Sequence, residues 1–445
     1  MDDRTPSAAP APLRIALAGL GTVGVGVLRL IEANCAIVEA RAGRPIEVVA
    51  VSAREAGRSR GVDMGGAAFV ADMTALALRE DVDVVVEAVG GADGPALALA
   101  EAALGAGKGL VTANKAMIAH HGLRLAELAA ATGAALAFEA AVAGGIPVIK
   151  GLREGAAANA IERIYGILNG TCNYILSTME ATGADFADVL ADAQAKGFAE
   201  ADPAFDVDGV DAAHKLAILA AIGFGARVDF PGVAISGIRE VRAADIAQAR
   251  ALGFVIRLVG VADCAPGDDG EARLLQRVRP CLVPTSHPLA HVTGATNAVV
   301  AEGNFAGRLL FQGAGAGAGP TASAIVADLI DIARGVAGAP FSVPAAALQP
   351  MRRADPGHRV GRDYIRFTVA DRTGVLAEIT AAMRDAGVSI ESLIQRGRAS
   401  EDGGEVLVAM VTHEGPERCV TRALELLDGS PSLTAAPLVL PILRD

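Results

Sequence analysis

Asp211 and Lys215 stand four residues apart in a stretch whose apolar spacing predicts a helix over Ala212–Gly223. That spacing sets an acid and an amine on one helical face, within salt-bridge reach. A carboxylate there keeps an ammonium charged and oriented, ready to give a proton to a carbonyl oxygen. Once neutral, the same amine takes a proton from a hydroxyl. The plainer alternative is a surface ion pair with no chemistry attached. A second chemical signal is Gly19-Leu20-Gly21-Thr22-Val23-Gly24, directly after a predicted strand and opening a predicted helix. The first glycine permits a tight turn, the second lets backbone approach a pyrophosphate, and the third allows close helix–strand packing. The helix start then faces the phosphates with free N–H groups and a positive dipole end.

The tip of the second predicted strand bears on the choice of nicotinamide cofactor. It reads Val51-Ser52-Ala53-Arg54, with Arg58 and Arg60 beyond and no acid at the tip to hold a ribose 2′-hydroxyl. Arg54 suits a 2′-phosphate and favours NADP; Glu55 beside it keeps NAD open, as does a reading of the loop as merely basic and solvated. Glu139 is the only charge in Ala134–Ile149. A buried acid needs partners, either backbone N–H groups or a small cation held with carbonyl oxygens. His214, His287 and His291 are not spaced as a metal set and read as structural, so no zinc is expected.

These residues need a scaffold, and the chain of 445 residues has room for about three folding units. Hydrophobic residues make up 52% and charged residues 20%, which excludes disorder over most of the length. A net charge of −12 and only 3% aromatics argue against nucleic acid and anionic membrane surfaces as partners. Five scattered cysteines without a CxxC pair fit free thiols in a reducing, cytoplasmic setting. The first dozen residues read as a flexible tail rather than a signal peptide. The longest apolar run, Leu216 to Ala226, is about half a membrane span.

Short apolar runs (Leu13–Ala18, Ile46–Val51, Val82–Ala88, Gly109–Thr112, Ala134–Phe138) alternate with helical patterns such as Val23–Ala40, Pro95–Ala106 and Gly122–Ala131. This is the rhythm of an α/β doubly wound sheet of Rossmann type over 13–141. From 142 to 320, long helical segments mix with strands such as Leu274–Val283 and Ala298–Glu302, an α+β substrate and dimerisation domain. A helix over 321–336 is expected to complete the first domain. The proline-bearing stretch 340–361 reads as a linker. A βαββαβ order, the ferredoxin-like signature, fills 362–445.

With the glycine turn, several strings resemble homoserine dehydrogenase. They are Val84-Val85-Val86-Glu87-Ala88-Val89-Gly90-Gly91, Thr112-Ala113-Asn114-Lys115-Ala116 and Asn169-Gly170-Thr171-Cys172-Asn173-Tyr174. A longer one runs from Lys196-Gly197-Phe198-Ala199-Glu200-Ala201-Asp202-Pro203 to Asp211-Ala212-Ala213-His214-Lys215. Gly313–Gly317 before Pro320-Thr321-Ala322 also matches, so the resemblance covers about residues 13–345. It implies NAD(P)-dependent interconversion of L-homoserine and L-aspartate 4-semialdehyde, on the route to threonine and methionine. By the resemblance, Lys215 is the general acid/base and Lys115 supports it electrostatically. Glu200 and Asp211 bind substrate. Gly19, Gly21, Thr22, Val23, Gly24, Arg54, Gly90, Lys115, Gly197 and Gly317 meet the dinucleotide. A sodium-like monovalent cation is held by Glu139 and the main chain at Val142, Gly144 and Ile146. No kinase-like extension is present in the sequence, so a monofunctional enzyme is expected.

The tail resembles an ACT domain, a small-molecule sensor of amino-acid biosynthetic enzymes. Asp371-Arg372-Thr373-Gly374-Val375-Leu376 fits its first strand–helix turn, with Thr373 where a proline is usual. The resemblance implies a threonine effector near Asp371, Gly374, Val375 and Leu376, and a homo-oligomer, dimer or tetramer. A purely structural dimerisation tail is the alternative. Two other functions compete with these strings: a 2-hydroxy-acid dehydrogenase of the phosphoglycerate type, which carries its nucleotide fold in mid-chain, and a non-catalytic dinucleotide sensor.

Overall fold

The computed structural model describes residues 10–267, 269–396 and 405–444. Six parallel strands form the first sheet, in the order Ala68–Phe69, Ile46–Ser52, Leu13–Ala18, Val84–Glu87, Gly109–Thr112, Leu136–Ala137. Runs such as LRIALA and VVVE are apolar on both faces because crossover helices cover both sides of a parallel sheet. The strand order reverses between Leu13–Ala18 and Val84–Glu87, and the crevice at their carboxyl ends is where such sheets take ligands. The helix expected over Val23–Ala40 is two, Thr22–Ala33 and Cys35–Ala42. They part at Asn34, a residue type whose side chain competes with helical backbone bonding.

Helix Ala318–Ala333 lies against Thr22–Ala33. A Cβ on Gly26 would come within 2.7 Å of the Ala318 carbonyl oxygen, which is how closely the two backbones approach. Ala322, Ile325 and Leu329 share one core with Ile15, Leu17 and Val27. The far end of the chain's middle region thereby returns to the nucleotide fold.

The second sheet is mixed, ordered Gly307–Ala314, Thr296–Gly303, Ile161–Ile167, Phe254–Pro266, Ala272–Pro284, Arg352–Arg353, with Val233–Ile235 also paired to Ala272–Pro284. Helices Gly170–Thr182 and Val210–Phe224 pack on it. Every residue of the latter from Asp211 to Ile222 is buried, so its apolar run is a core helix. Among the described residues no helix is long and apolar enough to cross a membrane. Strands Ile161–Ile167, Phe254–Pro266 and Gly307–Ala314 escape sequence reading. Phe254–Pro266 follows helix Ala243–Ala251 after only Leu252 and Gly253, and periodicity alone does not separate a buried strand from a buried helix.

The C-terminal unit is a four-stranded antiparallel sheet, ordered Ile390–Arg396, Glu405–Thr412, Asp363–Ala370, Leu433–Pro441, with helices Val375–Asp385 and Glu417–Leu426. Side-chain ion pairs dock it on the rest of the chain. Arg366 pairs with Asp245 in full burial, and Glu417 accepts from Arg277 and Arg279, each at 2.9 Å. The stretch expected as a linker is strapped down. Phe341 is fully buried with its ring 5.1 Å from that of Phe138, Leu348 is buried, and Arg352–Arg353 adds to the second sheet. Its prolines suggest a tether, but its apolar side chains find a core.

Candidate active site

The glycine turn follows the first strand without a break. Gly19 has φ +96°, and a Cβ there would sit 2.6 Å from the Ala88 carbonyl oxygen. A Cβ at Gly24 would lie 1.9 Å from the Gly19 carbonyl oxygen, whereas Gly21 has nothing within 4 Å. Two of the three glycines are therefore required by the protein's own packing, and the third faces open space. Thr22 and Val23 begin the helix behind it. A cleft of about 720 Å³ opens here, lined among others by Gly19, Gly21, Arg54, Arg58, Arg60 and Gly90. An adjoining hollow of about 750 Å³ lies between Thr22 and Ala318, with Arg29, Arg58 and Arg60 around it. Arg54 is exposed; Arg60 donates to the Glu55 and Arg58 carbonyls and so braces the loop.

Glu87, at the end of its strand, is fully buried and fully satisfied. Oε1 accepts from the N–H groups of Val89 and Gly90, both at 2.8 Å, and Oε2 accepts from the Thr112 hydroxyl at 2.5 Å. Asn114 donates to the Gly91 carbonyl at 2.7 Å and caps helix Lys115–Thr132 by accepting from Met117 N–H. The loop carrying Gly90 and the helix start carrying Lys115 are thus one hydrogen-bonded unit at the sheet's carboxyl edge.

Lys115 reaches from that edge to Asp211, Nζ to Oδ1 at 2.9 Å. Lys215 Nζ lies 2.8 Å from Asp211 Oδ2 and donates to the Leu168 carbonyl oxygen at 2.8 Å. Asn169 Nδ2 also donates to Asp211 Oδ2, at 2.8 Å, and to Asp206. Burial works against the charge on Asp211, but the ammonium groups of Lys215 and Lys115 outweigh it and hold its carboxyl well below the usual range. For Lys115, burial pulls the proton affinity down, and Asp211, Asp206 and Glu200 together pull it higher than an ordinary lysine. Burial and then the charge of Asp211 raise Asp206.

Glu200 is exposed on the loop after helix Phe186–Ala195 and acts on Lys115 through its field. Gly197, at φ +75°, turns the same loop. Gly317, at φ +117°, precedes helix Ala318–Ala333 beside the glycine turn. His214, read from the sequence as structural, is buried next to the cluster, its Nε2 3.2 Å from His120 Nε2. Burial, then His120 and Lys115, push it down to about 4. Sequence reading missed Glu87, Asn169, Asp206 and Asn297 as site residues. The first three sit inside or beside the quoted strings. Asn297 left one signal, an amide directly before the apolar run Ala298–Ala301.

Residues 147–330 match the family described as homoserine dehydrogenase, residues 19–139 match its NAD-binding domain, and residues 364–425 match the ACT domain. A homoserine dehydrogenase of Pseudomonas aeruginosa is 43% identical over 94% of this chain and 96% of its own length. The chain belongs to the homoserine dehydrogenase family. A crystal structure of a homoserine dehydrogenase from Thiobacillus denitrificans superposes with a TM-score of 0.89 at 38% identity, covering 98% of this chain and 99% of that one. A hyperthermophilic archaeal homoserine dehydrogenase in complex with NADPH is 27% identical, with a TM-score of 0.61, covering 72% of this chain and 97% of that one. The chain is accordingly an oxidoreductase with a nicotinamide-dinucleotide-binding fold and a C-terminal ACT domain.

Two outlying features of this homoserine dehydrogenase fold remain. Glu139 is buried, its carboxylate accepting from the N–H groups of Ile149 at 3.0 Å and Lys150 at 2.8 Å. Burial and the neighbouring Asp328 raise it to about 7. Val142 and Ile146 are buried nearby in sequence, and between them Ala143 and Gly144 are consecutive left-handed residues, at φ 56° and 51°. An alanine adopts that conformation only at a cost. Among the described residues no three His, Cys, Asp or Glu side chains gather as a metal site. In the ACT domain, Asp371, Gly374, Val375 and Leu376 line a cleft of about 250 Å³, Gly374 at φ +95°.

Proposed function

We propose that this enzyme interconverts L-homoserine and L-aspartate 4-semialdehyde with NADP, and that Lys215 moves the proton. The reading rests on one observation above others. Asp211 binds two ammonium groups at once, Lys115 from the edge of the nucleotide fold and Lys215 from the buried helix of the second unit. A nicotinamide dinucleotide held in the crevice would supply or accept the hydride. In the reductive direction Lys215, charged and aimed by Asp211 and Leu168, gives a proton to the carbonyl oxygen as the alkoxide forms. In the oxidative direction its neutral amine takes the hydroxyl proton. Lys115 adds positive charge where the oxyanion develops. Glu200, exposed on the loop after helix Phe186–Ala195 and acting on Lys115 by its charge, suits the substrate ammonium.

The arginines at positions 54, 58 and 60 and the absence of an acid at the strand tip support NADP over NAD. The left-handed turn at Ala143–Gly144 supports a monovalent cation held by Glu139 with the carbonyls of Val142, Gly144 and Ile146. The ACT cleft supports threonine as an effector that closes a feedback loop on threonine and methionine synthesis, in a homo-oligomer working in the cytoplasm.

Lys215→Ala tests the central step. Homoserine oxidation is expected to fall by ~10²- to 10⁴-fold while NADPH still binds, since the glycine turn is untouched. Near-normal turnover would refute the assignment. Michaelis constants for NADPH and NADH decide the cofactor, and a strong NADH preference removes the NADP reading.

A further inference from the structure

Lys215 has three N–H bonds when charged. Two are spent inside the protein, on Asp211 Oδ2 and on the Leu168 carbonyl oxygen, both at 2.8 Å. Tetrahedral geometry then fixes the direction of the third. That direction is only as sharp as the two acceptors are fixed. Each of them also accepts from an asparagine amide: Asp211 Oδ2 from Asn169 at 2.8 Å and Leu168 O from Asn297 at 2.9 Å.

Asn297 lies on strand Thr296–Gly303, where the next residue, Ala298, pairs with Ile167, the residue before Leu168. It is 1% exposed. Its amide is walled by backbone. A Cβ on Gly315 would lie 2.2 Å from Asn297 Cγ, and one on Gly170 would lie 3.4 Å from its Oδ1. The Oδ1 atom has no hydrogen-bond partner among the described residues. An unmet buried acceptor costs folding free energy, so stability alone gives a weak reason for an amide here. What the amide does make is the bond to Leu168.

We propose that Asn297 is a positioning residue for Lys215: by holding the Leu168 carbonyl, it aims the third N–H of the ammonium, or the lone pair of the neutral amine, at the reacting oxygen. The inference rests on the reading of Lys215 as the acid/base. Gly315 and Gly170 are its permissive neighbours, since a side chain at Gly315 would displace the amide.

The test is the pH dependence of kcat for homoserine oxidation in the full-length enzyme, for Asn297→Ala, Asn297→Asp and Lys215→Ala in parallel. Asn297→Ala frees the Leu168 carbonyl. Turnover should fall by ~10- to 100-fold, with Michaelis constants for homoserine and NADP within about threefold of the parent, because orientation rather than binding is lost. Asn297→Asp keeps the shape and places a carboxylate beside Leu168 and near the ammonium. It should move the rising limb of the profile to higher pH, because the nearby negative charge holds the proton on Lys215. An ionised aspartate cannot donate to the Leu168 carbonyl, so kcat should fall in this variant too, whereas a merely packing role leaves kcat of both folded variants at the parent level. Should Asn297→Ala fail to fold, the isosteric aspartate decides. Parent-like kcat and pH profile in the folded variants, with Lys215→Ala inactive, would overturn the positioning role and leave the acid/base reading standing. An active Lys215→Ala would instead remove the acid/base reading, and this inference with it.

Discussion

Asp211 is a carboxylate with three donors, from Lys115, Lys215 and Asn169, in a site where it is only 4% exposed. Its charge is secure, and its removal would strand two ammonium groups, an error worth about 3–5 kcal/mol for a buried pair. The neighbouring His214 is the opposite case, a base kept neutral. It packs against the rings of Phe230 at 4.3 Å and Phe205 at 5.6 Å, and its Nε2 meets His120 Nε2. Between two Nε2 atoms one must donate and the other accept, which neutral imidazoles do and a doubly charged pair does not. Asp211 favours the charged form but is outweighed by burial, His120 and Lys115. With a folded value of about 4 against 6.5 unfolded, the unfolded chain takes up the proton first as pH falls. Stability is therefore lost as pH drops from about 6.5 to about 4 and is unaffected by this group above that window. His214→Phe, which keeps a ring among rings, should flatten the fall in melting temperature across that window. An equally steep fall would show that other groups govern the acid limb.

At the scale of elements, the glycine turn joins strand Leu13–Ala18 to helix Thr22–Ala33, and its residues answer to different demands. Gly24→Ala places a methyl 1.9 Å from the Gly19 carbonyl oxygen, so strand and helix must part. We expect it to lower the melting temperature, with a cost of about 1–3 kcal/mol for overpacking. Gly21→Ala meets open space at φ −81°, so the protein should melt as the parent does while the Michaelis constant for NADP rises. Equal behaviour in both measurements would mean that the open space at Gly21 is not where the dinucleotide approaches. This turn, its flanking strand and the βαββαβ tail were legible because each follows a local rule of period and punctuation. The strand Leu13–Ala18 has the bounds the apolar run predicts. The seven-stranded sheet was not legible to the same degree. Ile161–Ile167 is a strand because of partners far away in sequence, Phe254–Pro266 and Thr296–Gly303, and Asn297 matters because of a carbonyl more than a hundred residues before it. No local pattern carries that.

Over the whole molecule, the ACT domain is joined to the second sheet by buried charge rather than by a free tether. Glu417 sits between Arg277 and Arg279; burial alone would raise its proton affinity, and the two guanidinium groups reverse that. Arg277 is 4% exposed; its Nη1 donates to Glu417, and its Nη2 has no hydrogen-bond partner among the described residues. Arg359 is close enough that burial, and after it Arg277, lower its proton affinity to about 10. Deleting the carboxylate removes the hydrogen-bonded partner of Arg277 and Arg279 in a half-buried seam that also holds Arg359, a larger fault than the loss of one surface ion pair. The Arg366–Asp245 pair would still hold the other end of the seam, at the start of helix Ala243–Ala251. Asp185, which precedes helix Phe186–Ala195, accepts from Ala243 N–H at 3.0 Å and links that helix start to the segment leading to Gly197 and Glu200. Glu417→Ala is therefore expected to keep basal homoserine oxidation, because it touches no atom near Lys215. It should loosen the ACT domain, seen as an earlier, separate transition on calorimetric melting. It should also blunt the proposed response of activity to threonine, because an effector acts only through a seam that transmits its preference for one state. A variant that melts in one step and responds to threonine as the parent does would show that this ionic seam carries neither the docking nor the signal.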